Sequence, residues 1–497
     1  MEPDRPFGGP WLDEVGAVGP KRVLISLDHG LSVVYFLQSD VVTTLLEAGV
    51  EVVVLTDETL IPEIRTRFGR RGLAVEGLRL QEAKGYQVMV ARERQWWLQF
   101  LRRVGGSREI NTKAMDSYIR QVMVEEPPWR MVLMPVAWLG IWYLRRSAAA
   151  RGLLVRLQKR WVPGLYGDLL RRTRPDLVVA SSPGWRLDRY LLREAGQQGI
   201  ETGAVIMGWD NPSSYGVPGA ELRWVNCWSD IQRRELERGA DWRDGQVHVG
   251  GIPSYDGYFR GRWVMDREDY FKLHGLDPFR KLISYACSFV SFSPNLQNVR
   301  ALAELVASDC LSEPCQLLVR LHPNHFMDHP LYKGEADRIR DLRKEMRHVR
   351  IVEPKALGGF YGHYSGEDMP EKASMLAHSD VFATVYSTMV VEAAIHRKPI
   401  LSVCIDAPGG WRKFRKFSLP LSRIGGWPTH QRFRESGAGR VVTSPGELRD
   451  ALEFYLGHPK ADEEKQRAFV ERECTYTDGS AGARTGKFLL SRLRGRP

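Results

Sequence analysis

Apolar runs of four to six residues, each leading into a turn and then a helix-like stretch, recur along most of the chain, and few folds accept such a pattern. A run without polar alternation is a strand covered on both faces, and strands of that kind belong to parallel sheets whose crossovers are helices. The first instance is complete: a run at 22–27, a turn at Asp28-His29-Gly30, a helix-like stretch stopped by Gly49, and a second run at 51–56. It predicts a βαβ unit with a right-handed crossover. Runs at 73–80, 177–180, 202–207 and 222–227 extend this first domain. A second series lies at 281–286, 316–321, 349–352, 381–385, 399–405 and 440–443. The pattern predicts two doubly wound α/β domains, which 497 residues can supply. The Gly-rich segment 250–259, with a Pro and a Ser, is the expected hinge. It divides an N-terminal domain, 1–255, from a C-terminal domain, 256–465, followed by a tail, 466–497.

Residues 81–174 interrupt the first domain and are rich in Trp and Arg. The part from 130 to 174 holds ten Lys/Arg against one acid, Asp168, a net +9 of the chain's +11. Leu153, Leu154, Leu157 and Trp161 recur at helical spacing, while Arg151, Arg156, Lys159 and Arg160 fall largely elsewhere on the wheel. A basic amphipathic helix adsorbing to an anionic membrane surface is one expectation; packing of the same apolar residues on the domain core is the other. No nucleic-acid motif accompanies the charge, so nucleic acid is not an expected partner. The start, 1–20, lacks the basic and apolar stretches of a secretory signal, and the longest apolar run, 131–144, contains Pro135 and is too short to span a bilayer. Six cysteines, mostly far apart and without metal-type spacing, suit a reduced compartment. The expected location is cytoplasmic, peripheral on the inner face of the membrane.

The most informative stretch is 379–401, where a strand runs into Tyr386-Ser387-Thr388 and then a helix. Hydroxyls there cap free N–H groups, and the same N–H groups with the positive end of the helix dipole bind phosphate. Glu392 lies one turn after Thr388 on the same side, where its carboxylate can accept hydrogen bonds from two ribose hydroxyls. A purely structural helix cap would need the same hydroxyls.

This segment resembles the nucleotide-binding motif of GT-B glycosyltransferases. Residues 318–324, LVRLHPN, resemble the strand-end Arg-x-His-Pro of CDP-glycerol glycerophosphotransferases and related surface-polysaccharide transferases, whose basic pair faces the donor phosphates. Arg320 and His322, two positions apart, share one side of a strand, and both can bind phosphate. The segment 284–289 is similar to that family's opening strand, leaving Ser288 toward the cleft. GWDNPSSYG at 208–216 resembles a Trp-Asp-Asn turn of bacterial surface-carbohydrate transferases, 251–256 resembles their hinge, and the tail resembles their closing helix. The insertion matches no family.

The resemblance implies two Rossmann-like domains facing across a cleft, with donor in the C-terminal half and acceptor in the N-terminal half. It implies transfer of a sugar or polyol phosphate from a nucleotide-activated donor to a cell-surface polysaccharide or lipid-linked acceptor. Ser288, Arg320, His322, Ser387, Thr388 and Glu392 become the donor-binding residues. A general base is expected on a loop after an early strand: His29, titrating near neutrality, with Asp28 orienting it or contacting the acceptor. Asp210 is the rival base, and Asp28 and His29 would equally serve as residues capping the helix near Gly30. No DxD-type dyad stands out, so transfer without metal or cofactor is expected, with leaving-group charge met by Arg320, His322 and the Ser387/Thr388 helix terminus. Two other functions suit the fold: a non-hydrolysing UDP-sugar 2-epimerase, whose Asp-Ser-Gly-Gly turn is missing from 386–392, and a non-catalytic nucleotide-sugar or membrane-surface binding protein.

Overall fold

A computed structural model describes residues 20–288, 295–326, 330–360, 362–406 and 420–494. The signal-free start read over 1–20 falls almost entirely outside them, as does Phe289 of the 284–289 motif.

The first sheet has seven strands: Arg22–Ser26 (β1), Glu51–Thr56 (β2), Leu73–Gly77 (β3), Leu177–Ala180 (β4), Glu201–Val205 (β5), Trp224–Cys227 (β6) and Val247–Val249 (β7). All pair in parallel in the order β3-β2-β1-β4-β5-β6-β7, with Arg22 opposite Glu51 and Val23 opposite Leu177. The order reverses between β1 and β4, and such a reversal opens a crevice beyond the strands' carboxyl ends. Asp28 and His29 follow β1 there. Burial explains the apolar runs: four of the five β1 residues and all of β4 are buried.

The second half holds Lys281–Ala286 (β8), Cys315–Arg320 (β9), Val349–Val352 (β10), Ala356–Gly358 (β11), His363–Tyr364 (β12), Val381–Thr384 (β13), Ile400–Val403 (β14) and Arg440–Val442 (β15). Six of these form a parallel sheet in the order β10-β9-β8-β13-β14-β15, and β11 and β12 form a separate antiparallel pair. Ala286 is opposite both Arg320 and Thr384, so the end of β8 lies between the ends of β9 and β13. The architecture is therefore two Rossmann-like domains, as expected.

The final helix, Ala481–Leu493, packs on the helix Asp40–Glu47 of the first half, and Leu489 and Leu493 join its core. A Cβ on Gly486 would sit 2.6 Å from Thr44 Cβ, which explains the glycine. Asp256, in the hinge segment, accepts from Ala481 N and Gly482 N at 2.9 and 2.8 Å and so caps this helix.

The insertion is helical, with a small core of its own around Phe100, Met115, Ile119 and Ile141. The amphipathic reading of 151–161 needs correction. Arg151 points inward, with Nε and Nη2 each 2.6 Å from the Asp241 carboxylate, whereas Leu153 is 55% exposed. A bidentate acid partner makes burial of that guanidinium tolerable, and this turns the helix relative to the simple wheel. The exposed apolar surface lies instead on Pro128–Val132 and Met134–Leu144, where Val132, Val136 and Leu139 are 77%, 71% and 67% exposed beside Trp129, Trp138 and Trp142. No helix among the described residues is long and apolar enough to cross a membrane.

Candidate functional site

The carboxyl ends of β1 and β4 bring two carboxylates together. Asp28 and Asp188 are both fully buried, and Asp28 Oδ2 accepts from Asp188 N at 2.7 Å. Ser182 Oγ lies 3.1 and 3.0 Å from the two Asp188 oxygens. Burial, then the neighbouring Asp188 charge, raises Asp28 well above the usual carboxylate range, and burial pushes Asp188 up to about 6. Desolvation, then Arg186 and His363, holds His29 well below its ordinary value. Its Nδ1 accepts from Leu31 N at 3.1 Å, so the neutral ring carries its proton on Nε2. In that tautomer Nε2 is a hydrogen-bond donor and Nδ1 is engaged. His29 thus lacks a free basic nitrogen, contrary to the role expected of it.

Asp210 presents a different picture. It follows β5, burial raises its carboxyl above the usual range, and one oxygen accepts from Ser214 Oγ at 2.9 Å. Its neighbour Trp209 donates from Nε1 to Glu473 Oε2 at 2.7 Å, and Arg432 joins Glu473 to Glu235 at 3.0 Å each. The Asp210 turn is thereby fixed to the second half by a buried charged network.

On the donor side, Arg320 is turned inward. It pairs with Asp368, contacts Glu371 at 3.2 Å and donates to Tyr364 Oη at 3.4 Å. Two acids hold the guanidinium, so it does not project toward a phosphate as the strand-end reading expected. His322 is pushed down to about 3 by burial, then by His325, Lys372 and Arg320, and its Nδ1 accepts from Asn324 N at 3.1 Å. Its Nε2–H is therefore the donor edge. Glu392 Oε2 receives Lys372 Nζ at 2.6 Å and Tyr258 Oη at 2.5 Å. Since Glu371 and Lys372 are adjacent on the helix Met369–His378, one turn links Arg320, His322 and Glu392. Ser387 Oγ accepts from Met389 N at 3.2 Å, Thr388 caps the helix Met389–Ile395 through its backbone alone, and Tyr386 before them has φ of 39°. A left-handed tyrosine costs strain, a feature that clusters at functional turns. Ser288 Oγ is buried without a partner among the described residues.

The two halves meet through the β11–β12 hairpin. His363 Nε2 donates to Leu27 O at 2.8 Å, Tyr364 N donates to Gly30 O at 2.8 Å, and Phe360 N donates to Asp57 Oδ2 at 2.6 Å. Tyr364 thus touches the His29 loop with its backbone and Arg320 with its hydroxyl. No motif or periodicity marks Asp188, Lys372, Tyr364 or Asp368, which lie on helices, short loops and a two-residue strand.

Two parallel sheets with their switch points turned toward a shared crevice, and charged side chains from both halves gathered at the strand ends, define a GT-B architecture. Residues 228–491, more than half of the chain, match the model of the family described as CDP-Glycerol:Poly(glycerophosphate) glycerophosphotransferase, and the chain belongs to that family. Among solved structures it is similar to a UDP-GlcNAc 2-epimerase from Neisseria meningitidis bound to UDP-GlcNAc, at 12% identity and a TM-score of 0.51, covering 95% of this chain and 99% of that one. It is also similar to a glycosyltransferase from Rickettsia africae, at 10% identity and a TM-score of 0.51, covering 96% and 100%. Such likenesses show the shared fold, while family membership makes the chain a transferase of GT-B type. No curated protein matches it at a significant level.

Proposed function

We propose that the protein transfers a sugar or polyol phosphate from a nucleotide-activated donor to a cell-surface polysaccharide or lipid-linked acceptor. The observation carrying this reading is the continuity from the His29 loop through Tyr364 to Arg320, Lys372 and Glu392, which brings elements of both halves around one crevice. Lys372 and Tyr258 both meet Glu392 at Oε2, and Oε1 would accept from a ribose hydroxyl. His322 would donate to the donor phosphate as a neutral imidazole, and Ser288, Ser387 and Thr388 would line the same turn. Arg320 acts one step removed, holding Tyr364 and the acidic start of the Met369–His378 helix. The leaving group's charge is met by these preorganised dipoles and by Lys372, without a metal or cofactor.

Asp210 is the base in this reading, because a carboxylate with raised affinity for a proton, held by Ser214 Oγ on Oδ2 at 2.9 Å and only at 3.5 Å by Asn211 Nδ2 on Oδ1, can accept the acceptor's hydroxyl proton. His29 serves as a hydrogen-bond donor, and the Asp28–Asp188 pair keeps a proton and fixes the β1 turn. The exposed apolar surface of 128–144 supports peripheral membrane association by burial of Trp, Val and Leu at the interface, where a lipid-linked acceptor resides.

A thermal-shift screen of UDP-, GDP-, CDP- and dTDP-linked sugars and polyols tests the donor assignment. One nucleotide series should raise Tm, with about 2.7 kcal/mol of added stability at one hundred times Kd. A Tm unmoved by every nucleotide-activated compound would overturn it.

A further inference from the structure

A cavity of about 440 Å³ opens between the insertion and the second half, lined by Lys113, Ser117 and Arg120 from one side and Ser422, Arg423 and Gly426 from the other. Its walls are packed together: Trp427 Nε1 donates to Ser117 Oγ at 3.0 Å, and Asn111 Nδ2 donates to Gly426 O at 3.3 Å. Ala114 shares a small apolar cluster with Val385, Leu421, Ile424 and Trp427, against which Tyr386 packs. The cavity therefore backs onto the strained turn that precedes Ser387. Its insertion wall, the helix Lys113–Glu125, also packs on the short helix Asn211–Ser214 that follows Asp210.

The electrostatics are one-sided. Asp116, the one acid among the described residues lining the cavity, is taken by Arg145 at 2.8 Å. Among the described residues Lys113, Arg120 and Arg423 form no ion pair, whereas Arg130, Arg145 and Arg151 of the same insertion each have a carboxylate partner. Ser117 Oγ already donates to Lys113 O and accepts from Trp427. What the cavity offers a ligand is thus mainly cationic donor capacity, and three like charges around one space favour occupation by an anion.

We propose that this cavity is an anion site separate from the donor pocket, and that it holds a phosphate group carried by the acceptor. The identification of the carrier as the acceptor rests on the transferase reading above. Position supports it: Met123 and Val124, on the same helix as Lys113, are exposed, and the helix carrying them leads directly into the exposed apolar segment 128–144. At 1.5 Å per residue they stand roughly 15 Å along the axis from Lys113 and about 5 Å from Arg120 at the near end of the cavity. A group tethered in a bilayer under that surface can reach the cavity, which neighbours the elements carrying Asp210 and Ser387.

Inorganic pyrophosphate titrated into the full-length protein by calorimetry tests the site. Binding should weaken about tenfold in Lys113→Ala/Arg120→Ala and in Arg423→Ala, the scale of a charge-assisted hydrogen bond lost. It should be retained in Lys113→Arg/Arg120→Lys and in Glu392→Ala. Unchanged binding in the alanine variants, or loss confined to Glu392→Ala, would overturn the proposal. Co-sedimentation with phosphatidylglycerol and phosphatidylcholine vesicles separates the phosphate sources. Loss of phosphatidylglycerol binding in Lys113→Ala/Arg120→Ala with pyrophosphate binding intact would assign these cations to lipid headgroups and overturn it as well. The nucleotide-dependent thermal shift, read on the Lys113, Arg120 and Arg423 variants, should be unchanged. If it is present and pyrophosphate binding is insensitive to the substitutions, the anion site fails alone; if no nucleotide shifts the parent protein, the transferase reading fails irrespective of pyrophosphate.

Discussion

Replacing Asp188 by Asn should make the protein more stable at alkaline than at acidic pH relative to its parent. Asp188 is fully buried, and its carboxyl titrates at about 6 in the folded chain against an ordinary 3.8. The folded state therefore binds the proton more tightly, so the parent loses stability as pH rises above 4 and through 6. The full loss is roughly 3 kcal/mol, at 1.36 kcal/mol per unit, of which roughly 2 kcal/mol accrues between pH 4.5 and 8. Asparagine cannot ionise, and its amide can still meet Ser182 Oγ. Thermal unfolding of parent and variant at the two pH values should show the variant's relative Tm rising by about 4 to 8 °C at pH 8, given the size of the first domain. An equal Tm difference at both pH values would refute the reasoning. So would a larger loss at pH 8, which would mean that Arg186 and Arg189 favour the charged form more than burial disfavours it.

Glu392→Gln keeps an oxygen for Tyr258 but removes the charge; it should weaken nucleotide binding by about 1 to 3 kcal/mol, and calorimetry showing unchanged affinity would exclude the ribose contact. Val136→Glu/Leu139→Glu should abolish sedimentation with liposomes, whereas binding of the parent should persist at about 1 M salt, where charge attraction is screened within about 3 Å. Arg156→Ala/Lys159→Ala/Arg160→Ala eliminating that high-salt binding would restore the electrostatic account.

Strands covered on both faces are legible because burial demands unbroken apolar residues: every run read as a strand from 22 to 443 became one. Val247–Val249 was not legible, since an edge strand with all three residues partly exposed needs no such run. Nor was the β11–β12 hairpin, whose five strand residues carry no periodicity. Arg320 and Glu392 were visible as motif positions, but their partners Asp368, Glu371 and Lys372 come from a helix whose orientation depends on tertiary packing. The side chain of Arg151 faced the wrong way in the wheel because its counterion, Asp241, lies 90 residues away. His29 could be placed on its loop, yet its tautomer depends on a local backbone N–H that only coordinates show.

The hairpin of residues 356–364 has a mechanical consequence. Hydrogen bonds from the His363 ring and from the Tyr364 and Phe360 backbone N–H groups fasten one margin of the crevice to the first domain, and the Asp256-capped terminal helix ties the hinge to it again. Separation of the halves is thereby resisted along that margin. The insertion clasps the second half as well, through Trp427 on Ser117 and Asn111 on Gly426, so the crevice is bridged at more than one place and the halves can part as rigid bodies only after one of these fastenings lets go.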